Sequence, residues 1–245
     1  IKIYELFAKA ALEAFSVKNW DIRMHRIPGG GNTTADVLGQ IVNEKEKLCL
    51  CFVDSDQHCP GGSLGETARR ALDAFNESSG YAALEILRVH ELENILPLTH
   101  LQKIYASNAT KLEACASISQ ISEDDPIIVA HLDFKKGTWL GPIVEARSGS
   151  PEGLFWNEKL PRLLSHAPTG TARGRCATEQ ACALENCACS IIDPLGKEIL
   201  TEFADSVNGY SRGKLLMLLK SHSEAMRLGR LVMEACFGNN GPVIA

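Results

Sequence analysis

Apolar side chains at positions 3, 6, 7, 11, 12 and 15 recur with a period close to 3.6, which predicts an amphipathic helix over residues 1–16. Trp20 to Ile27 reads as a short strand, stopped by Pro28-Gly29-Gly30-Gly31-Asn32-Thr33-Thr34. Thr33 or Thr34 then caps a helix from Ala35 to about Glu44. The stretch Leu48 to Asp56 is an unbroken apolar run ending in two carboxylates one residue apart. A run apolar on both faces is what a strand of a parallel sheet looks like when helices cover both sides. A helix over Glu66 to Phe75 and a strand over Leu84 to His90 follow, and that strand also ends in carboxylates, Glu91 and Glu93. To residue 97 the order is helix, strand, helix, strand, helix, strand, which predicts an α/β fold with a parallel sheet flanked by helices. Beyond it the pattern turns mainly helical: Leu98 to Tyr105, Lys111 to Ile121, a short strand at Ile127 to Ala130, and an irregular connector over 141–175 with a helix near Glu158 to Ser165. A last helix runs from about Leu215 to Phe237. The expected division is an α/β domain over 1–135 and a mainly helical region over 136–245.

At 45% hydrophobic and 22% charged, the chain has the make-up of an ordinary globular protein. No apolar segment approaches the roughly 20 residues that span a bilayer, so no membrane partner is expected. The opening lacks a basic, then apolar, then small-residue pattern, so the expected location is the cytoplasm. Nine cysteines, several inside apolar or helical patterns, argue against a disulfide framework. A net charge of -5 excludes a protein that coats nucleic acid by bulk electrostatics. Contact with DNA or RNA would need basic residues concentrated locally, or a partner to supply them.

The chemistry-bearing residues gather at strand ends, where parallel sheets place their sites. Two carboxylates as close as Asp54 and Asp56 repel each other unless a cation sits between them, and hard ions such as Mg²⁺ take oxygen ligands. The competing reading is a polar loop with Asp56 in an Asx-turn. Neighbouring strands lie ~4.8 Å apart, so Asp54, Asp56, Glu91 and Glu93 would form one patch able to share one or two ions. Such ions activate water and stabilise charge on a transferring phosphate. Glu91 and Glu93 read equally as carboxylates complementing a following helix dipole. Lys135 or Lys136 would meet the same phosphate, or else be solvated surface lysines. The turn Gly29, Gly30, Gly31, Asn32 is either a phosphate cradle or a plain tight turn. His25, His58 and His90 near strand ends could reach a phosphate or metal, or else be ordinary polar neighbours. Cys176, Cys182, Cys187 and Cys189, with His166 upstream, fit a structural Zn²⁺, buried free thiols or a redox role.

The order Gly-Gly-Gly-Asn before a helix, an apolar strand ending Val-Asp-Ser-Asp, and a later strand ending Glu-Leu-Glu-Asn resembles the TOPRIM domain of OLD-like and related phage-defence nucleases. The resemblance covers roughly residues 1–97. It implies metal binding, by Mg²⁺ or Mn²⁺, at Asp54 and Asp56 and at Glu91 and Glu93 with Asn94, a Gly-rich turn at Gly29 to Asn32, and a family lysine at Lys135 or Lys136. It further implies cleavage of nucleic-acid phosphodiester bonds and association with an ATPase partner, although no ATPase motif occurs in this chain. The family's first strand, which ends in a glutamate, has no counterpart from Ile1 onward. The expectation is that this strand precedes the helix at Ile1 in the parent chain. The alternative is a degenerate, non-catalytic TOPRIM-like module that docks onto a partner protein.

Overall fold

The computed structural model describes residues 2–27, 31–44, 48–75, 82–146, 149–166 and 190–237. Helix α1 (Lys2–Ala14), a 3-10 turn (Gly31–Thr33), α2 (Thr34–Glu44), strand β1 (Cys49–Val53), α3 (Glu66–Ala74) and β2 (Ala82–Ile86) come first. A 3-10 turn (Leu92–Ile95), α4 (Leu98–Ile104), α5 (Ala109–Asp124), α6 (Pro126–Val129), β3 (Thr138–Trp139), α7 (Leu140–Glu145) and α8 (Pro151–Ser165) follow. Strand β4 (Ser190–Ile192) and helices α9 (Ile199–Ser206), α10 (Arg212–Leu219) and α11 (Ser223–Phe237) close the described chain. The fold is mixed α/β and rich in helix. Two compact units form, one from Ile1–Ser55, Leu64–Arg88 and Ala204–Ala245, the other from Asp56–Ser63 and Val89–Phe203. Residue 135 thus lies inside the second unit, and α10 and α11 belong to the first.

In the first unit, β1 and β2 pair in parallel, from Cys49 opposite Ala82 to Val53 opposite Ile86. The both-sides-apolar character of β1 has a direct structural counterpart. Leu50 and Phe52 pack on a cluster of Ala8, Ala11, Leu12, Ile22, Val232 and Met233. Cys49, Cys51 and Val53 face the opposite cluster, with Leu38 and Val42 of α2 and Ala68 and Ala71 of α3. Alternate residues of one strand therefore fill two cores, and each fully buried Leu or Phe contributes ~1.5–3 kcal/mol. The Tyr4 ring stacks on Phe52 at 4.2 Å between centroids. Helix α11 lies so close to α1 that a Cβ on Gly229 would sit 2.3 Å from the Phe7 carbonyl oxygen. On the α11 side of β2, Arg227 bridges Glu85 at 2.5 Å and Glu224 at 2.7 Å.

In the second unit, Asn108 caps α5 by accepting from the Lys111 N–H at 3.1 Å, and Ser150 caps α8 by accepting from Gly153 at 3.0 Å. Strands β3 and β4 pair antiparallel, with Thr138 opposite Ile192 and Trp139 opposite Ser190. Gly137 makes this pairing possible: its φ is +81°, and a Cβ there would meet the Ile192 carbonyl oxygen at 2.7 Å.

Several elements differ from the sequence expectation. Residues 20–27 form no strand. Their alternation is real, since Ile22 is buried and Met24 half-buried against α1 and α11, but burial alone produces it without a ladder of hydrogen bonds. Residues 127–130 are not a strand either, because Pro126 at the first helical position presets φ and starts the helical turn α6. The connector at 141–175 carries two helices, α7 and α8, before the described residues stop at 166. The terminal helix is broken into α10 and α11 by a turn at residues 220–222.

Candidate functional site

The two sequence-predicted aspartates fall in different units, Asp54 in the first, just past β1, and Asp56 opening a segment of the second. Asp56 adopts φ +50°, in the left-handed region that Asp tolerates better than most residues. Its N–H donates to the His90 carbonyl at 2.9 Å, and the His90 N–H donates to the Ala130 carbonyl at 2.7 Å. Three chain segments of the second unit, at 56–58, 89–91 and 130–135, are thereby laid side by side. A 57–62 loop closes on itself through the Gln57 side-chain amide, which donates to the Gly62 carbonyl at 2.6 Å.

Glu91 and Glu93 are almost fully buried, at 2% and 1% exposure. Glu91 Oε1 accepts from the Phe134 N–H at 2.7 Å and the Lys135 N–H at 3.0 Å. Its Oε2 lies 3.0 Å from Lys135 Nζ, and Glu93 Oε2 lies 3.4 Å from the same ammonium. Burial raises the Glu91 pKa, with Asp133 adding to the rise and Lys135 opposing it. The structure thus separates the two lysines. Lys135 sits between buried carboxylates, whereas Lys136 is 82% exposed in its side chain and lies 3.9 Å from Asp133. Asn94 locks the assembly: its Oδ1 accepts from the Glu91 N–H at 2.8 Å while its Nδ2 donates to the carbonyls of Val129 and Leu132.

Three histidines surround this cluster. His90 and His131, both buried, place Nδ1 at 3.2 and 2.9 Å from the Gln57 carbonyl oxygen. A carbonyl oxygen only accepts, so each ring carries its proton on Nδ1 and, when neutral, leaves Nε2 as an acceptor. The exposed His58 ring lies 4.8 Å from that of His90. Desolvation and the neighbouring His90 push the His58 pKa down against the pull of Glu152, Asp133 and Asp56. Desolvation lowers that of His131 too, opposed by its hydrogen bond to Gln57 and reinforced by His90 and His58.

Known protein families, curated proteins and solved structures offer no match to this chain.

Of the residues singled out in the sequence, the structure brings Glu91, Glu93, Asn94 and Lys135 into direct contact and leaves Lys136 facing solvent. Gly31 opens the 3-10 turn before α2 with φ +63°, while Gly29 and Gly30 lie outside the described residues. Cys176, Cys182, Cys187 and Cys189 also lie outside them. His166 is engaged elsewhere, with Nε2 2.5 Å from Asp124 Oδ2. Among the described residues, no three His, Cys, Asp or Glu side chains converge as an ion would require, and no helix is long and apolar enough to cross a membrane. Sequence reasoning set His58 and His90 aside and passed over His131. The signal was available: His131 follows the apolar run Ile127–Ala130 just as His90 follows Val89.

The histidines have a consequence for stability. An unfolded chain takes up protons on histidine near pH 6.5, whereas folded His131 resists them. Its contribution is therefore intact above pH 6.5 and is lost as pH falls from there through the lowered native value. Thermal unfolding followed from about pH 7 to about pH 5 should show the melting temperature dropping, with a shallower drop in His131→Asn. An identical slope in the two proteins would remove His131 from this account.

Proposed function

We propose that the chain is a metal-dependent phosphodiesterase acting on nucleic acid, with its chemistry centred on the contacting Glu91, Glu93 and Lys135 of the second unit and on Asp56, whose N–H donates to the carbonyl of neighbouring His90. The observation that supports this most is the Lys135 ammonium set between two carboxylates that are both almost fully buried. Burying two such charges is costly and persists only where a cation is held between them. Carboxylate oxygens are also the donors that Mg²⁺ and Mn²⁺ select. Asp56, Glu91 and Glu93 do not converge on one point in this arrangement, so they would have to draw together to hold such an ion, which would supply charge neutralisation and an activated water. Lys135 would turn from the carboxylates toward the phosphate, and neutral His58, the exposed ring of the three histidines, would accept a proton from an incoming water.

The resemblance to phage-defence nucleases extends the proposal to a cytoplasmic effector controlled by an ATPase partner, with the cysteine group as a zinc site. A second reading, a non-catalytic module that docks onto a partner protein, is favoured by one observation. Glu91 already spends both oxygens on Phe134 and Lys135, a structural role that needs no ion.

Cleavage of labelled DNA and RNA, single- and double-stranded, should require Mg²⁺ or Mn²⁺. Asp56→Asn, which keeps a residue at ease in the left-handed backbone, should lower the rate by about 100-fold or more without changing the melting temperature. A wild-type rate in this variant would exclude the phosphodiesterase reading.

A further inference from the structure

We propose that residues 17–27 of the first unit form a ledge for single-stranded nucleic acid, with bases stacking on Trp20 and phosphates meeting Lys18 and Arg23. The proposal rests on the phosphodiesterase reading for its meaning and names the substrate class that reading leaves open. The chain carries a net charge of -5, so any polyanion must find a place where cations are concentrated. Residues 17–27 hold Lys18, Arg23, His25 and Arg26 against a single carboxylate, Asp21. That carboxylate is offset by Arg212, 3.7 Å away on α10, while Arg26 is occupied by Glu5. Lys18 and Arg23 are exposed and form no ion pair with the described residues.

The aromatic component is Trp20, which is 56% exposed. Although exposed, this tryptophan is held in place. Its ring meets Phe237 edge-on at 4.9 Å and 89°. Its carbonyl and that of Val17 both accept from the Arg212 guanidinium. Ile22, two residues on, is buried in the core shared by α1 and α11, with Val17 and Met24 packed beside it. The segment is therefore nailed down through its inward side chains while Lys18, Trp20, Arg23 and His25 point outward. A preorganised ring between cations is the composition that holds unpaired bases by stacking and their backbone by charge. A duplex conceals its base faces, so the ring selects single strands.

The test uses the full chain in EDTA, which suppresses metal-dependent cleavage, and fluorescein-labelled oligonucleotides of about 20 nucleotides read by anisotropy. Single strands should bind more tightly than the matching duplex. Trp20→Ala should weaken binding about tenfold or more, whereas Trp20→Phe should keep most of it because the stacking face remains. Lys18→Glu combined with Arg23→Glu should weaken binding and reduce the slope of log affinity against log salt by about 1.4, or ~0.7 per lost phosphate contact. Circular dichroism checks the fold of each variant, and if Trp20→Ala fails to fold, the charge variant and Trp20→Phe decide. Absence of single-strand binding by the wild type, or wild-type affinity in folded Trp20→Ala or in the charge variant, would overturn the ledge. Cleavage assayed in parallel with Mn²⁺ separates the two ideas. Binding without cleavage counts against the phosphodiesterase alone, and cleavage with binding indifferent to these variants counts against the ledge alone.

Discussion

Lys135→Met should destabilise the second unit by about 3 kcal/mol, equivalent to ~10 °C in melting temperature. Methionine keeps most of the volume of the lysine stem, so packing changes little. What disappears is the ammonium 3.0 Å from Glu91 and 3.4 Å from Glu93. The variant leaves two carboxylates facing each other at almost complete burial. Removing one partner of such an arrangement typically costs 3–5 kcal/mol, and the lower figure applies because the lysine side chain is 30% exposed. The sign of the pH response tells charge loss from packing loss. Burial already raises the Glu91 pKa in the presence of Lys135, which opposes the rise, so losing the lysine raises it further. A raised carboxyl pKa favours the folded state at low pH and penalises it as pH climbs through the native value. The deficit of the variant should therefore shrink as the medium is acidified, and a deficit constant with pH would point to packing instead.

Gly229→Ala should cost the first unit a similar amount, about 3 kcal/mol, although alanine is the better helix former by ~1 kcal/mol. The added methyl would lie 2.3 Å from the Phe7 carbonyl oxygen and 2.5 Å from its carbon, atoms of the α1 backbone that no rotamer change can move aside. Helix α11 would have to lift away from α1, opening the cluster of Ala8, Ala11, Leu12, Val232 and Met233. Gly39 on α2 provides the control, because a Cβ there meets nothing within 4 Å. Gly39→Ala should raise stability by about 0.5–1 kcal/mol. Chemical denaturation of the two variants beside the wild type should show opposite shifts, and equal shifts would refute the close approach of α11 to α1.

How much of this was legible in the sequence depends on range. Signals carried by consecutive residues were read well: the 3.6-residue period of α1 and the doubly apolar run of β1 are each complete within one short segment. Trp20 to Ile27 misled because alternation encodes which side chains are buried, not whether a backbone partner exists, and here Ile22 is buried against helices. Ile127 to Ala130 misled because a short apolar run carries no period, and Pro126 was the deciding residue. The candidate cluster was half visible. Glu91, Glu93 and Lys135 were chosen for chemistry, but their mutual contact depends on Asn94 tying a turn 35 to 38 residues away. The pairing of His90 and His131 on one carbonyl of Gln57 was invisible for the same reason, since separations of 33 and 74 residues leave no periodic trace.

The double hold of Glu91 on Lys135, through main chain and side chain together, gives the second unit a mechanical property. One oxygen of Glu91 grips the N–H groups of Phe134 and Lys135 while the other grips the ammonium. The carbonyls of the same two residues accept from Leu195 and Gly196, just past β4. Residues 134–135 are therefore held from both sides, by Glu91 through their N–H groups and by the loop past β4 through their carbonyls, and Gly137 leaves no room for a side chain against Ile192 and Pro194. A spectroscopic label placed just past β4 would therefore report any displacement of residues 134–135 directly.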